Sequence, residues 1–551
     1  MTALELALSD PEGLEAAARR AEARGDSAVV LREDDDGELH GLDPATAAAW
    51  LAGRTARIRI GVSFEASIPA MLEKAQDTLD ALTGGRVVPG VTTEADLTGR
   101  SPAALAQRRA GIDYDGVPAS LEALEPGDRG YRARRSTYMR GGSPGLVLRP
   151  RTPEEVASAL EFARRHRHLP LGLRSGGHGI SGRSTNDGGL VIDVSAMNSV
   201  EVLDSERRLV RIGPGATWKQ VAAALDKYDW ALGSGDYGGV GVGGLATAGG
   251  IGLLSRAHGL TIDHLRAVEL VLADGTPVRA GASENADLFW AVRGAGANFG
   301  VATAFEFEVD EVHEVGWAKL VLVTPDIEDA LKRFGEVARN APRDTTVFFV
   351  TGPPRQGQSV IQLYGMVDSD DPDVVVERLT PFASIGMLAQ QQVVITRYAE
   401  VMGEAADVGP EGQHGRGEPV ARSAFLPVLT DEFARDTARL LRSGQVYFFQ
   451  LRHMGGAISD VDPGEMAFSH RAPEMSVTAM GGDRRGLDTH WDRLAPHFDG
   501  LYLSFDTDLR PERVSDAFPP PVLARLRSLK RRYDPANLFR DNFNITPEDP
   551  S

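Results

Sequence analysis

Two glycine-rich stretches constrain this chain more than any other feature. RSGGHGISG runs from Arg174 to Gly182, and GSGDYGGVGVGGLATAGGIG runs from Gly233 to Gly252 with ten glycines in twenty residues. Glycine loses more backbone entropy on folding than any other residue, so this density needs a compensating gain. Close approach of bare backbone to a bulky polyanionic ligand supplies one, with amides directed at phosphate oxygens. Between the two stretches lies a strand-rich segment, LVIDVSAMNSVEVLDSERRLVRIGPGATW. The first stretch also carries His178, an imidazole set among glycines where few side chains shield it.

By its letters GVGVGG (Gly239 to Gly244) fits the G-x-G-x-x-G dinucleotide fingerprint. That fingerprint needs a hydrophobic strand before it and a helix after it. LGSGDYG is not a strand pattern, and the adjacent glycines of LATAGGIGLL predict no firm helix. A nicotinamide-type site is therefore not expected. Glycine packing without a ligand is the alternative these residues alone leave open.

Further blocks follow in order: VIDVSAMNSV, VGVGGLATAGGIGLLSRAHGLTIDHL, LFWAVRGAGANFGVAT and YDPANLFRDNFNITP. Together with RSGGHGISG they resemble the berberine-bridge-enzyme-like branch of the vanillyl-alcohol-oxidase FAD flavoproteins, from about Pro126 to Pro547. The resemblance implies an α+β fold: a PCMH-type FAD-binding part of two subdomains and an antiparallel-sheet substrate domain. It also implies FAD as cofactor, its pyrophosphate in the first glycine loop and its 8α-methyl bonded to His178. Carried over position by position, the cofactor contacts are Arg174, Ser175, Gly176, Gly177, Gly179 and Gly182 in the first loop. In the second they are Tyr237, Val240, Gly241, Val242, Gly243, Gly244, Gly249 and Gly250. Gly300 and Val301, beside Asn298 and Phe299, and then Asn542 and Asn544 complete the set.

The chain departs from that pattern at three places. Many relatives carry a second tether, a cysteine, where this chain has Tyr237, and it has no cysteine anywhere. A single histidyl bond is then the most that can form. Leu245 stands where some relatives have histidine. In LYLSFD, read as the strand that holds the family's catalytic tyrosine, Phe505 takes the tyrosine's place and Ser504 that of an asparagine. Tyr502 is the leading substitute base, followed by Tyr447 and His453, while His470 and Arg471 of AFSHR suit a structural role between domains.

The organisation reads as residues 1–100, a linker over 101–130, the FAD-binding part over 131–311, the substrate domain over 312–505 and a return to the FAD part over 506–551. Residues 1–100 alternate strand and helix, a pattern that implies a parallel sheet. EAAARRAEARGDSAVVL, RTARIRIGV and AQDTLDALTGGRVVPGV resemble parts of luciferase-like monooxygenases, whose full barrels are about 250 residues long, so only a partial (β/α) barrel is expected here. TPEEVASALEFARRHR predicts a capped amphipathic helix. The tract REDDDGELHG reads as a solvated loop, and no metal site is expected.

With 59 basic and 78 acidic side chains the net charge is −19, which disfavours nucleic acid and anionic membrane as partners. The absence of cysteine excludes disulfides and thiolate metal sites. MTALELALSDPEG lacks a basic and apolar leader pattern, so a cytoplasmic location is expected, with a homodimer as an open possibility. The expected activity is two-electron oxidation of a small alcohol, sugar or natural-product intermediate, with O2 as acceptor giving H2O2. A natural-product tailoring step is preferred by analogy. A flavin dehydrogenase with another acceptor and a non-catalytic flavin- or metabolite-binding protein are the alternatives.

Overall fold

The structure, a computed structural model, describes residues 3–7, 11–24, 28–32, 44–55, 59–62, 87–89, 105–406, 418–508 and 510–547. It divides into two compact units, one of Met1–Ala110 with Leu124–Arg132, the other of Gly111–Ala123 with Ala133–Ser551.

In the first unit, strands β1 (Ala3–Ala7), β2 (Ala28–Arg32), β3 (Arg59–Val62) and β4 (Val87–Pro89) pair in parallel in that order. Parallel neighbours need crossovers, and helices α1 (Pro11–Arg24) and α2 (Pro44–Ala52) provide the first two. Leu14, Ala18 and Ala21 recur at helical spacing on α1 and pack with Val29, Leu31, Ile60 and Val62. The third expected helix, PAMLEKAQDTLDALTGG, and nearly all of the acidic tract lie outside the described residues.

The second unit opens with strands β5 (Leu146–Arg149), β6 (Leu171–Arg174) and β7 (Leu190–Asp193), with β7 paired in parallel between the other two. Helix α3 (Pro153–Arg165) covers them. Its cap is close to the sequence expectation: Thr152 Oγ1 accepts the Glu155 N–H at 3.3 Å, while Glu155 returns a bond to the Arg151 N–H at 2.7 Å.

A five-stranded antiparallel sheet comes next, built from β8 (Val200–Asp204), β9 (Leu209–Ile212), β10 (Leu265–Val271), β11 (Pro277–Gly281) and β12 (Val301–Glu308) in the order β11-β10-β12-β9-β8. Ala273–Gly275 lie in the turn of the hairpin that pairs β10 with β11.

The remaining layer is a seven-stranded antiparallel sheet of β13 (Glu314–Thr324), β14 (Thr345–Thr351), β15 (Ser359–Val367), β16 (Met387–Arg397), β17 (Val420–Leu426), β18 (Phe448–His453) and β19 (Met475–Gly481). Its order is β16-β13-β15-β14-β18-β19-β17. Period-two alternation divides this sheet into two faces. Phe349, Ile361, Leu363, Phe449, Leu451 and Val477 turn toward helices α4 (Ile327–Asn340), α5 (Pro372–Ala383) and α6 (Asp431–Arg442), where Leu331, Phe334, Phe382, Phe433 and Leu441 close the core. Of the intervening residues, Val350, Gln362, Phe448, Gln450 and Arg452 face the cavity described below.

Near the cavity His258 fastens two layers. Its Nε2 lies 2.8 Å from Asp368 Oδ2 and its Nδ1 3.5 Å from Asp310 Oδ1. Burial alone lowers an imidazolium, but the hydrogen bonds to Asp310 and Asp368 outweigh it and raise His258 to about 10. A raised folded-state value stabilises below the unfolded value near 6.5, and that contribution fades as pH climbs toward 10. Urea midpoints of the wild type minus those of His258→Gln should therefore shrink between pH 6.5 and 10; a constant difference would refute the pairing.

Candidate active site

Strand β6 ends at Arg174 and delivers the first glycine stretch as a loop. Buried Arg174 anchors the turn: its Nε lies 3.4 Å from Asp193 Oδ2, and its Nη1 donates to the Ser136 carbonyl. Gly177 takes φ +71 over that guanidinium, and a Cβ there would lie 2.4 Å from Arg174 Nη2. The two glycine stretches meet backbone to backbone, since a Cβ on Gly176 would stand 2.5 Å from the Gly241 nitrogen. Ser175 ties them laterally, donating from Oγ to Pro214 O at 2.6 Å and accepting the Gly243 N–H at 3.3 Å. A helix, Val242–Ala248, does begin within GVGVGG, contrary to the sequence reading, and it stops at Gly249 with φ +142. No strand precedes it over 232–241, so the nicotinamide fingerprint remains a chance match.

These loops form one wall of a cavity of about 880 Å³, near the upper end for small-molecule sites. His178 lies on that wall, its ring stacked on Tyr138 at 4.7 Å and 22° and tilted to Tyr237 at 5.5 Å and 43°. Burial, and then the charge of Arg174, push its imidazolium down to about 4. At neutral pH it is therefore an uncharged imidazole with a nucleophilic lone pair.

The cavity face of the seven-stranded sheet forms the opposite wall. Trp317 and Lys319 of β13, Gln362 and Tyr364 of β15, and Phe448, Gln450 and Arg452 of β18 project from it at alternate positions. Asp236, from the second glycine stretch, accepts from Arg452 Nη2 at 2.9 and 3.0 Å and from Gln450 Nε2 at 3.3 Å. Arg452 is fixed in turn by donating to Gln450 Oε1 at 2.9 Å and Ile251 O at 3.1 Å. Lys319 pairs with Glu404 beside them.

Of the sequence-derived positions, Arg174, Ser175, Gly176, Gly177, His178, Gly179, Tyr237, Val240, Gly241, Gly243, Gly244, Asn298, Gly300, Val301, Asn542, Tyr447 and Tyr502 line the cavity. Six do not. His453 is turned away because β18 alternates: Phe448, Gln450 and Arg452 face the cavity, so His453 is buried on the helix-covered side, where burial and then Arg256 hold its imidazolium well below the ordinary value. Val242 points into the apolar core from its helix. Gly182, at φ +80, packs on the Arg140 stem. Gly249 packs on Phe468 and Tyr502, and Gly250 on Thr261. Asn544 is off the wall, with a buried Oδ1 that lacks a partner. Phe299, a further sequence candidate, is core. LYLSFD is not a strand but a single 3-10 turn over Leu503–Phe505, with Tyr502 Oη accepting the Gly250 N–H at 3.1 Å.

Sequence reasoning missed Tyr138, Asp236 and the whole polar sheet face. The usable signal was alternation: W-x-K in β13, Q-x-Y in β15 and F-x-Q-x-R in β18 place polar or amphipathic residues on one face of otherwise apolar strands. Among the described residues no group of three or more His, Asp or Glu is placed to hold a metal ion, and no helix is long and apolar enough to cross a membrane.

The site fits a dinucleotide flavin. Its loops present bare backbone, and a Cβ on Gly244 would meet no protein atom within 4 Å. Arg183, 7% exposed on the cavity wall, keeps Nε and Nη1 without hydrogen-bond partners, as expected of donors meant for a ligand.

Comparison with known proteins agrees. Residues 144–281 match the FAD binding domain family, and residues 507–546 match the family described as berberine and berberine like. (R)-6-hydroxynicotine oxidase of Paenarthrobacter nicotinovorans is 28% identical over 465 residues, 78% of this chain and 98% of that protein. The crystal structure of 6-hydroxy-D-nicotine oxidase from Arthrobacter nicotinovorans superposes with a TM-score of 0.70 at 24% identity, over 79% of this chain and all of that one. Glucooligosaccharide oxidase from Acremonium strictum, whose FAD is described as 6-S-cysteinyl and 8α-N1-histidyl, superposes at 0.67 with 23% identity, over 78% and 98%. Residues 144–281 are thus an FAD-binding domain and residues 507–546 a berberine-like segment, in a chain that is an FAD-dependent oxidoreductase.

Proposed function

We infer that this protein is an oxidase that carries its FAD on His178, removes two electrons from a small organic molecule and passes them to O2 as H2O2. The observation that carries the reading is the uncharged His178 imidazole on the wall of an 880 Å³ cavity inside the matched FAD-binding domain. Tyr237 occupies the place of a second tether, and its Oη donates to Ala406 O at 2.6 Å, so only one covalent bond is available.

The chemistry that bound FAD would supply is acceptance of hydride and passage of the electron pair to an acceptor. The chain's own groups do the rest. Gly176, Gly241 and Gly243 let the two glycine loops pack closely, Gly244 leaves open space on the cavity wall, and Arg183 offers its two unpartnered donors to an anionic oxygen. The sheet face orients the substrate through Gln362, Tyr364 and Gln450. Tyr502 is the group placed to take the substrate proton as hydride leaves: it lines the cavity, and its Oη is oriented by accepting the Gly250 N–H. Tyr447 also lines the cavity, but burial raises its pKa despite Arg140, so it ionises less readily than an ordinary tyrosine.

The same reading takes residues 1–100 as a partial luciferase-like module, supported by four parallel strands and the two helices that link the first three. It places the enzyme in the cytoplasm, in a tailoring step on a natural product. A homodimeric state belongs to it as well, for light scattering to test. Acid precipitation of the purified protein tests the central claim. Flavin fluorescence should stay in the wild-type pellet and appear wholly in the supernatant for His178→Ala. Flavin released from both would sink the linkage. Peroxide release across alcohols, sugars and phenolic natural products tests the acceptor, and dye reduction without peroxide would favour a dehydrogenase.

A further inference from the structure

Histidines that act as nucleophiles or ligands are ordinarily oriented by a hydrogen bond to their second ring nitrogen. His178 has no such partner among the described residues, because neither of its nitrogens is hydrogen-bonded. What holds its ring instead is aromatic. Tyr138 lies against one face at 4.7 Å and nearly parallel, Tyr237 wedges in at 5.5 Å, and the two tyrosine rings are themselves 6.3 Å apart.

The backbone at Tyr138 is tied to the glycine loop. Its N–H donates to Gly177 O at 2.7 Å, one residue before His178. Arg174 Nη1 donates to Ser136 O, and Arg140 Nε donates to Ile180 O at 3.3 Å, so residues 136–140 strap the glycine loop on both sides of His178. Tyr237 is fixed from the other direction by its bond to Ala406 O. Side-chain rotation of His178 is thus limited by two neighbouring rings, one carried on backbone tied to the loop and one hydrogen-bonded through its hydroxyl, of which only Tyr138 stacks.

We propose that Tyr138 is the positioning residue that fixes the His178 imidazole for covalent attachment of the flavin, through stacking and not through its hydroxyl. The proposal rests on the His178 linkage inferred above. In that attachment one bond forms between an imidazole nitrogen and the flavin 8α carbon. The imidazole N–H proton and one 8α hydrogen are lost, and dioxygen takes the two electrons and both protons as hydrogen peroxide. Tyr138 exchanges no atom in the step. It raises the fraction of time the nitrogen lone pair is directed into the cavity, so its loss slows attachment more than it weakens binding.

The test uses full-length wild type, Tyr138→Phe, Tyr138→Leu and Tyr138→Met, produced without riboflavin and then given FAD. Acid-insoluble flavin fluorescence followed over time reports covalent attachment, and flavin retained on gel filtration reports total binding. Tyr138→Phe should attach flavin at the wild-type rate. Tyr138→Leu and Tyr138→Met should bind FAD yet attach it about tenfold more slowly, the scale of one lost aromatic pair. Attachment within about twofold of wild type in both aliphatic variants would overturn the proposal. So would equal slowing in Tyr138→Phe, which would make the hydroxyl the acting group, or loss of all FAD binding in the aliphatic variants, which would make Tyr138 a wall of the binding site. Wild type that never acquires acid-insoluble flavin would instead refute the His178 linkage itself, a distinct result.

Discussion

Lys530→Met is expected to lower stability by about 3–5 kcal/mol, the range for breaking one partner of a buried ion pair. Lys530 and Asp534 are both fully buried on helix α7 (Pro520–Tyr533) and just past its end, 2.8 Å apart. Burial lowers the Lys530 pKa, with Asp534 opposing it, so the charge is kept by its partners. The ammonium also donates to Asn298 O at 2.8 Å and Phe539 O at 2.9 Å, filling all three of its donor positions. Removing it strands a carboxylate that retains only the N–H groups of Leu538 and Phe539. The damage should reach the cofactor, because Asn298 Oδ1 accepts the Ile545 N–H at 3.0 Å and so ties the berberine-like segment to the cavity near Asn542. Denaturant titration with and without FAD checks this. Lys530→Met with Asp534→Leu should recover much of the loss, since an apolar pair leaves no buried charge; a double variant as unstable as the single would show the helix end itself had collapsed.

The part of this architecture legible in the sequence was the part set by local chemistry. Parallel strands with crossover helices in the first unit follow from strand and helix periods that switch cleanly, and the Thr152 cap was visible as a threonine three residues before a glutamate. The glycine stretches located one cavity wall because bare backbone announces close approach. What the letters did not disclose was parity and depth. Placing His453 required knowing which face of β18 meets the helices, and a single residue of shift reverses the answer. Val242 and Gly249 sit within the matched motif yet serve the core and a turn, because a motif records both ligand contact and local packing. Tyr502 reached the cavity on a 3-10 turn, not on the strand expected for LYLSFD. β16 was missed altogether, its uncharged MLAQQQVVIT carrying weak alternation at an exposed sheet edge. Asp236 was hidden among the glycines, and its bond to Arg452 joins positions more than two hundred residues apart.

Gly241→Ala should abolish tight FAD binding while leaving the rest of the fold intact. A Cβ at this position would lie 2.2 Å from the Gly176 nitrogen, 2.3 Å from Ser175 Oγ and 2.7 Å from Gly176 Cα, and two of those three neighbours are backbone that cannot rotate away. Gly241 has φ −77, so the expected effect is steric, not conformational. Overpacking of this kind costs about 1–3 kcal/mol, to be relieved by moving one glycine loop off the other. Each 1.4 kcal/mol of that displacement expressed at the ligand weakens it about tenfold. Gly244→Ala is the informative contrast. Its added methyl meets no protein atom within 4 Å but enters the cavity, so apo stability should be unchanged. If Gly244→Ala also loses FAD, the ligand passes over this residue; if it binds normally while Gly241→Ala does not, the second stretch acts at Gly241 by letting the two loops touch, and the phosphates lie nearer His178. Gly241→Ala binding FAD as tightly as wild type would show that the contact between the loops is dispensable.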